Sequence, residues 1–205
     1  MTLQGTPVFI LKEDTARTTG RDALSSNITA ARVISEAIRS ALGPKGRDKM
    51  LVDNFGDVVI TNDGATILKE IDIAHPIGKM MVELSKIQDQ EVGDGTTPVV
   101  IIAGELLQHA AELISSDKIH PTILVEGYRV ATEKAAEYLK EIAMDVPAEN
   151  DALLVQLVNT TMGSKIVSRS SNLLARIVID AVKSIDSGTG KIDIDDIKIE
   201  KKEGE

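Results

Sequence analysis

Apolar residues recur every three or four positions through most of this chain, and the rhythm changes to short runs in only a few places. Over residues 22–42, Ile34, Ala37, Ile38, Ala41 and Leu42 share one stripe while Arg32, Glu36 and Arg39 lie off it, which predicts an amphipathic helix. Gly43-Pro44 then stops it, because glycine accepts the left-handed angles of a helix end and proline cannot continue the ladder. Met50-Leu51-Val52 and Val58-Val59-Ile60 flank a polar pentapeptide and predict a β-hairpin. Asn62-Asp63-Gly64 is a turn ahead of a short helix over 65–70. His75-Pro76 opens another helix to about residue 90, with Met80, Leu84 and Ile87 expected on its buried side and the Met80-Met81 pair as core filler.

The most apolar stretch, from Val99 to Leu107, follows Gly93-Asp94-Gly95-Thr96-Thr97-Pro98 and predicts a buried central helix. Thr96 or Thr97 suits its N-cap, and Pro98 suits its first turn. After a break at Ser115-Ser116-Asp117, His120-Pro121 starts a helix to about residue 144, whose Glu126, Glu133, Lys134, Glu137 and Lys140 form a solvated face. The composition shift over residues 145–150 marks the best domain boundary, dividing the chain into 1–146 and 147–205. Beyond it, residues 151–162 and 167–186 are amphipathic and are joined by Gly163-Ser164-Lys165, and residues 187–190 form a turn. Ile192, Ile194, Ile197 and Ile199 then approach the alternation of a half-buried strand. Val8-Phe9-Ile10-Leu11 is too short for a helix and is read as an edge strand able to pair with another chain. The fold class expected is mainly α with a small β-hairpin.

Composition narrows the chemistry. With 205 residues, a net charge of −9 and a pI near 4.9, the chain has no general basic surface with which to gather nucleic-acid phosphates. It has no cysteine, so disulfides and thiolate metal sites are excluded. His75, His109 and His120 show no ligand spacing and are read as turn or surface residues. No apolar run is expected to span a bilayer, and the N-terminus shows no basic-then-apolar signal, so a cytoplasmic protein is expected.

The loop at 93–98 carries the sharpest functional signal. Two glycines around one aspartate let a ligand approach the backbone, and the free N–H groups of the following helix start make an anion site. Asp94 would repel a phosphate unless a divalent cation lay between them, which points to a Mg-nucleotide site. The alternative is an ordinary capped helix start. Asp63 is open to two readings as well, a turn-capping residue or a second carboxylate aimed at the same ligand. Lys45 and Arg47 either complement a helix C-terminus or contact phosphate.

Leu42-Gly43-Pro44-Lys45-Gly46, Ile60-Thr61-Asn62-Asp63-Gly64-Ala65-Thr66-Ile67, Gly93-Asp94-Gly95-Thr96-Thr97 and Gly163-Ser164-Lys165 together resemble one family, the group II chaperonins that include the archaeal thermosome subunits. Val8-Phe9-Ile10-Leu11, Gly20-Arg21-Asp22 and Ile119-His120-Pro121-Thr122 extend that resemblance over essentially the whole chain. It implies an ATP-driven protein-folding subunit working with ATP/ADP and Mg2+, and assembled with other subunits in a double ring that acts on unfolded proteins. Residues 1–146 would belong to the equatorial, ATP-binding domain and 147–205 to the first part of an α/β intermediate domain. The resemblance makes Leu42, Gly43 and Pro44 a nucleotide loop, Asp94 the Mg ligand, and Gly95, Thr96, Thr97 and Pro98 the phosphate cradle. Asp63 becomes the carboxylate that positions attacking water, and Gly163, Ser164 and Lys165 become a nucleotide-sensing loop. Pro98 departs from the family's usual threonine or serine.

The comparison also implies that an apical domain, a second catalytic aspartate and a further glycine-rich loop lie beyond Glu205. The chain alone is therefore expected to be a fragment or truncated product that folds poorly and does not hydrolyse ATP at a useful rate. Rival readings are a small kinase, disfavoured because no G-x-x-x-x-G-K-[ST] loop occurs, and a helical scaffold without nucleotide chemistry.

Overall fold

Small residues decide which helices of this protein approach closely. A computed structural model of the chain describes residues 17–186, 192–200 and 202; the apolar run at 8–11 and the turn at 187–190 lie outside the described residues. The order is α1 (Gly20–Arg39), the antiparallel hairpin β1 (Lys49–Val52) and β2 (Val58–Thr61), α2 (Gly64–Glu70), α3 (Pro76–Val92), α4 (Thr96–Ser115), α5 (Pro121–Ile142), α6 (Asp151–Met162) and α7 (Ser171–Ile185). The fold is mainly α with one two-stranded sheet, as expected.

The central element is α4, which packs on α1, α3 and α2. Its approach to α1 is tight because Gly104 lies at the crossing. A Cβ at that position would fall 2.3 Å from the Ser35 hydroxyl oxygen, which donates to the Arg32 carbonyl at 2.9 Å. Around this contact Ala31, Ile34, Ile38, Ala41, Ile67, Leu68, Met81, Val100 and Ile101 form the core. Each large aliphatic side chain buried there contributes about 1.5–3 kcal/mol.

Three expectations are corrected here. On α3 the buried residues are Gly78, Met81 and Ser85, whereas Met80 and Ile87 are 66% and 49% exposed. The small residues Gly78 and Ser85 sit in the contact with Met81, Ile73 fills the hollow over Gly78, and Met80 and Ile87 turn outward. No strand forms over the described residues 192–200. A short 3-10 turn, Ile194–Asp196, starts instead where Asp193 accepts from the Asp195 N–H at 3.1 Å, and Ile194 and Ile199 stay exposed. The alternating isoleucines thus yield to a local side-chain turn. By length and a mean hydropathy of 1.2, α4 is also long and apolar enough to cross a membrane, contrary to the expectation that no run is. In the fold it is the helix that α1, α2, α3 and, more loosely, α5 contact.

The rest follows the sequence with adjustments at the ends. The segment after Lys165 begins as a 3-10 turn, Ile166–Ser170, before α7 proper. His75 and His120 are more than surface residues. The Nδ1 of each accepts the backbone N–H two residues on, from Ile77 and Thr122, so each caps a helix whose first residue is proline. The helix α5 buries none of its residues; its main tie to α4 is the Tyr128 hydroxyl donating to the Leu106 carbonyl at 2.5 Å. Helices α6 and α7 pack on each other and bury Ala175 and Ile179.

Candidate functional site

The loop between α3 and α4 is held mainly through its backbone. Gly93 ends α3 with φ +73°, its N–H bonded to the Asp89 and Gln88 carbonyls at 2.9 and 3.3 Å. The Gln88 amide donates to the Asp94 carbonyl at 2.8 Å, and the buried Ser85 hydroxyl donates to the Thr96 carbonyl at 3.0 Å. Gly95, with φ +77°, is the N-cap of α4 and provides no side-chain cap. This corrects the expectation that Thr96 or Thr97 takes that place: both lie inside the helix and are buried. The turn needs a left-handed angle at the cap, which threonine adopts poorly. Val99 closes on the Gly95 carbonyl, and Pro98 has no N–H to offer. The N–H groups of Thr96 and Thr97 have no partner among the described residues, so two donors at the positive end of a 20-residue helix are left open.

The start of α2 abuts the start of α4: a Cβ on Gly64 would lie 2.5 Å from the Thr97 hydroxyl oxygen. Asp63 caps α2, its Oδ2 accepting the Thr66 N–H and hydroxyl, both at 3.0 Å. Its Oδ1 accepts the Lys165 Nζ at 2.9 Å and the Thr96 hydroxyl at 3.3 Å. Burial, the largest single influence, pushes the Asp63 carboxyl upward. The Lys165 hydrogen bond, the Thr66 N–H, the Lys165 charge and the Thr66 hydroxyl together outweigh it and hold the group below the ordinary aspartate value. The capping reading of Asp63 is therefore met, and its other oxygen pairs with Lys165 beside the α4 start.

The segment 160–165 reaches this place from the far side of the chain. The Asn62 amide donates to the Ser164 carbonyl, Lys165 pairs with Asp63, and the Thr161 hydroxyl donates to Asp94 Oδ2 at 3.1 Å. Between the segment and the loop lies a cleft of about 180 Å3 lined by Leu42, Gly43, Asp94, Gly95, Thr96, Thr97, Pro98, Ser164 and Lys165, together with Ala41, Asn62, Thr160 and Thr161. Nine of the sequence-predicted residues thus come together. Pro44 and Gly163 do not line the cleft, and Asp63 stands behind Thr96 and Lys165 rather than on the wall. Lys45 and Arg47 are exposed and do not line it either.

Sequence reasoning missed Ala41, Asn62, Thr160 and Thr161. Asn62 directly precedes Asp63, and Thr160-Thr161 directly precedes Met162-Gly163, so adjacency to the singled-out motifs was the available signal. A larger cleft of about 770 Å3 runs between α6 and α7, lined by Asp151, Asn159, Asn172, Arg176 and Asp180 among others, and holds none of the predicted site residues. The predicted site residues gather in the smaller one. There, a helix start with unpaired donors adjoins a carboxylate suited to a divalent cation, and left-handed glycines at Gly43 (φ +81°) and Gly95 keep the backbone accessible. These residues fit a phosphate with its cation.

Comparison with known proteins bears on the same segments. The model of the TCP-1/cpn60 chaperonin family matches residues 34–205. The chain belongs to that family. It is 54% identical to thermosome subunit alpha of Archaeoglobus fulgidus over 206 residues, covering 99% of this chain and 38% of that protein. It is 55% identical to thermosome subunit beta of the same organism with the same coverage, and 54% identical to thermosome subunit beta of Thermococcus kodakarensis over 98% of this chain and 37% of that protein. The likeness to group II chaperonins therefore extends over the whole chain, and the chain spans under two fifths of the length of these chaperonin relatives.

Proposed function

We propose that this chaperonin chain supplies the Mg-ATP binding loop and subunit contacts of an ATP-dependent protein-folding complex. The observation that carries the reading is the convergence of four sequence-distant segments, at Gly43, Asn62, residues 94–98 and residues 161–165, on one cleft at an uncapped helix start. The Thr96 and Thr97 N–H groups, with Gly43 and Gly95 giving backbone access, would hold the phosphates of ATP or ADP, and Asp94 would hold Mg2+. The cation's part is to neutralise charge on the phosphates.

Asp63 would orient the attacking water. Its Oδ1 is occupied by Lys165 and Thr96, so it can act only when Lys165 transfers its hydrogen bonds elsewhere. A terminal phosphate entering beside Ser164 and Lys165 offers that alternative partner, which ties the 163–165 loop to the nucleotide present. Residues 1–146 then act as the nucleotide-binding floor and 147–205 as a unit that senses it. Other chaperonin subunits in a double ring, unfolded proteins as substrates and a cytoplasmic location belong to the same reading, with no role for nucleic acid or membrane. The chaperonin relatives are longer, and folding activity is a property proposed for the assembled complex.

The test is a titration of ADP with and without Mg2+ on the protein and on Asp94→Ala. Binding should be tighter with Mg2+, and Asp94→Ala should remove that gain, lowering affinity in Mg2+ at least about tenfold, or about 1.4 kcal/mol. Equal affinity of the two proteins in Mg2+ would refute the assignment. A helical module without nucleotide chemistry would bind neither form.

A further inference from the structure

We infer that Thr161 is the positioning residue that holds Asp94 ready for a divalent cation, a role that rests on the Mg-nucleotide reading of the cleft. Two adjacent threonines end α6, and their hydroxyls do different things. Thr160 bonds back to the Gln156 carbonyl at 2.9 Å, as a helical threonine commonly does. Thr161 makes no such bond and reaches across 67 positions of sequence to Asp94 Oδ2, 3.1 Å away.

The other oxygen, Oδ1, accepts the Gly95 N–H at 2.7 Å. Each carboxylate oxygen therefore has one donor fixing it and retains a lone pair for a metal ion. That matters because Asp94 sits on an exposed loop between two glycines, where nothing else orients its side chain. An unheld carboxylate would have to give up rotamer freedom on binding the cation, whereas a held one has already done so.

The placement of Thr161 does not depend on this hydrogen bond. The segment is anchored separately by Asn62 on the Ser164 carbonyl and by Lys165 on Asp63. Removing the Thr161 hydroxyl should consequently free Asp94 without moving α6. The bond also joins the α6–α7 unit to the cation ligand itself, so the cation's hold on Asp94 and the position of α6 become linked quantities.

The experiment uses Thr161→Val, which keeps the side-chain shape, together with Thr161→Ser, which keeps the hydroxyl. Mg2+ is titrated at fixed ADP, and ADP affinity is also measured in chelator. Thr161→Val should raise the Mg2+ concentration at half-effect about three- to tenfold, the size expected for the net contribution of one ordinary hydrogen bond. Its affinity for ADP in chelator and its melting temperature should be unchanged, and Thr161→Ser should restore the Mg2+ requirement. An unchanged Mg2+ requirement in Thr161→Val, an equal loss with and without Mg2+, or failure of serine to restore it would overturn the role. Asp94→Ala run alongside separates the two levels. If Asp94→Ala abolishes the Mg2+ effect while Thr161→Val does not alter it, only the positioning role falls. If neither alters it, the nucleotide reading falls as well.

Discussion

Two helices begin side by side in this protein, and they treat their free N–H groups in opposite ways. At α2, Asp63 accepts from the Thr66 N–H, so the helix start is closed by a carboxylate of its own. At α4, the cap is a left-handed glycine with no side chain to offer, and the donors of Thr96 and Thr97 are left open. The first arrangement closes a helix start internally; the second leaves its donors open, the arrangement that the proposed anion site uses. The contrast is between a cap that is present and one that is withheld. Asp63 and Asp94, each followed by a glycine, are also held differently. Asp63 is part-buried and engaged by Lys165 and two threonines, while Asp94 is exposed and held by one N–H and one hydroxyl.

The sharpest separation of the two comes from Asp63→Asn. Asparagine caps about as well as aspartate, so α2 should persist and the melting temperature should change little. The charge is lost, however, and ATP turnover in the assembled complex should fall by about 100-fold or more while nucleotide affinity stays within a few-fold. A large binding defect with normal turnover at saturation would reverse the roles given to the two carboxylates. Phosphate release and ADP titration measure the two quantities independently.

A second variant breaks the contrast by closing α4 as α2 is closed. Gly95→Asp places a carboxylate at the open helix start, and aspartate tolerates left-handed backbone angles better than most residues. Affinity for ADP should drop about 30-fold, equivalent to about 2 kcal/mol, the upper size of a charge effect at a helix end. Circular dichroism should show the helices retained. Full nucleotide affinity in Gly95→Asp would mean that the α4 start is not the anion site.

The smallest effect is expected from pH. The folded-state value of Asp63 is depressed below its unfolded value of about 4. Its contribution to stability is therefore fully present above pH 4 and is lost as pH falls through the folded value, below 4. In that window the Lys165 contact should release, and with it one anchor of the 160–165 segment. Lys165→Met should remove most of this acid-dependent step when stability is followed by denaturant titration between pH 6 and 3. An identical acid profile in the variant would show that the ion pair does not set it.

Much of this was legible in the residues alone. Apolar spacing placed the helices because a 3.6-residue period and a buried face are one fact seen twice, and glycine with proline marked where they stop. The hairpin could be placed because its apolar runs are separated by turn formers. The two glycines at 93 and 95 marked the turn into the apolar helix, where the structure has both in left-handed conformation, and the order of the motifs pointed to the family that the comparisons then established. What local pattern could not decide was every choice made between distant segments. Gly78, Met81 and Ser85, rather than Met80 and Ile87, face inward on α3, because close helix contact favours small residues at the crossing and leaves room there for one large one. Asp193 turns the backbone where isoleucine alternation suggested a strand, because no neighbouring strand among the described residues offers a ladder to compete. Thr161 reaches Asp94 and Asn62 reaches Ser164 across long stretches of sequence, and no periodicity encodes a hydrogen bond between residues that only packing brings together. Local chemistry determined which positions had donors, acceptors and charges to offer; the tertiary structure decided which of them were spent on each other and which were left open at the start of α4.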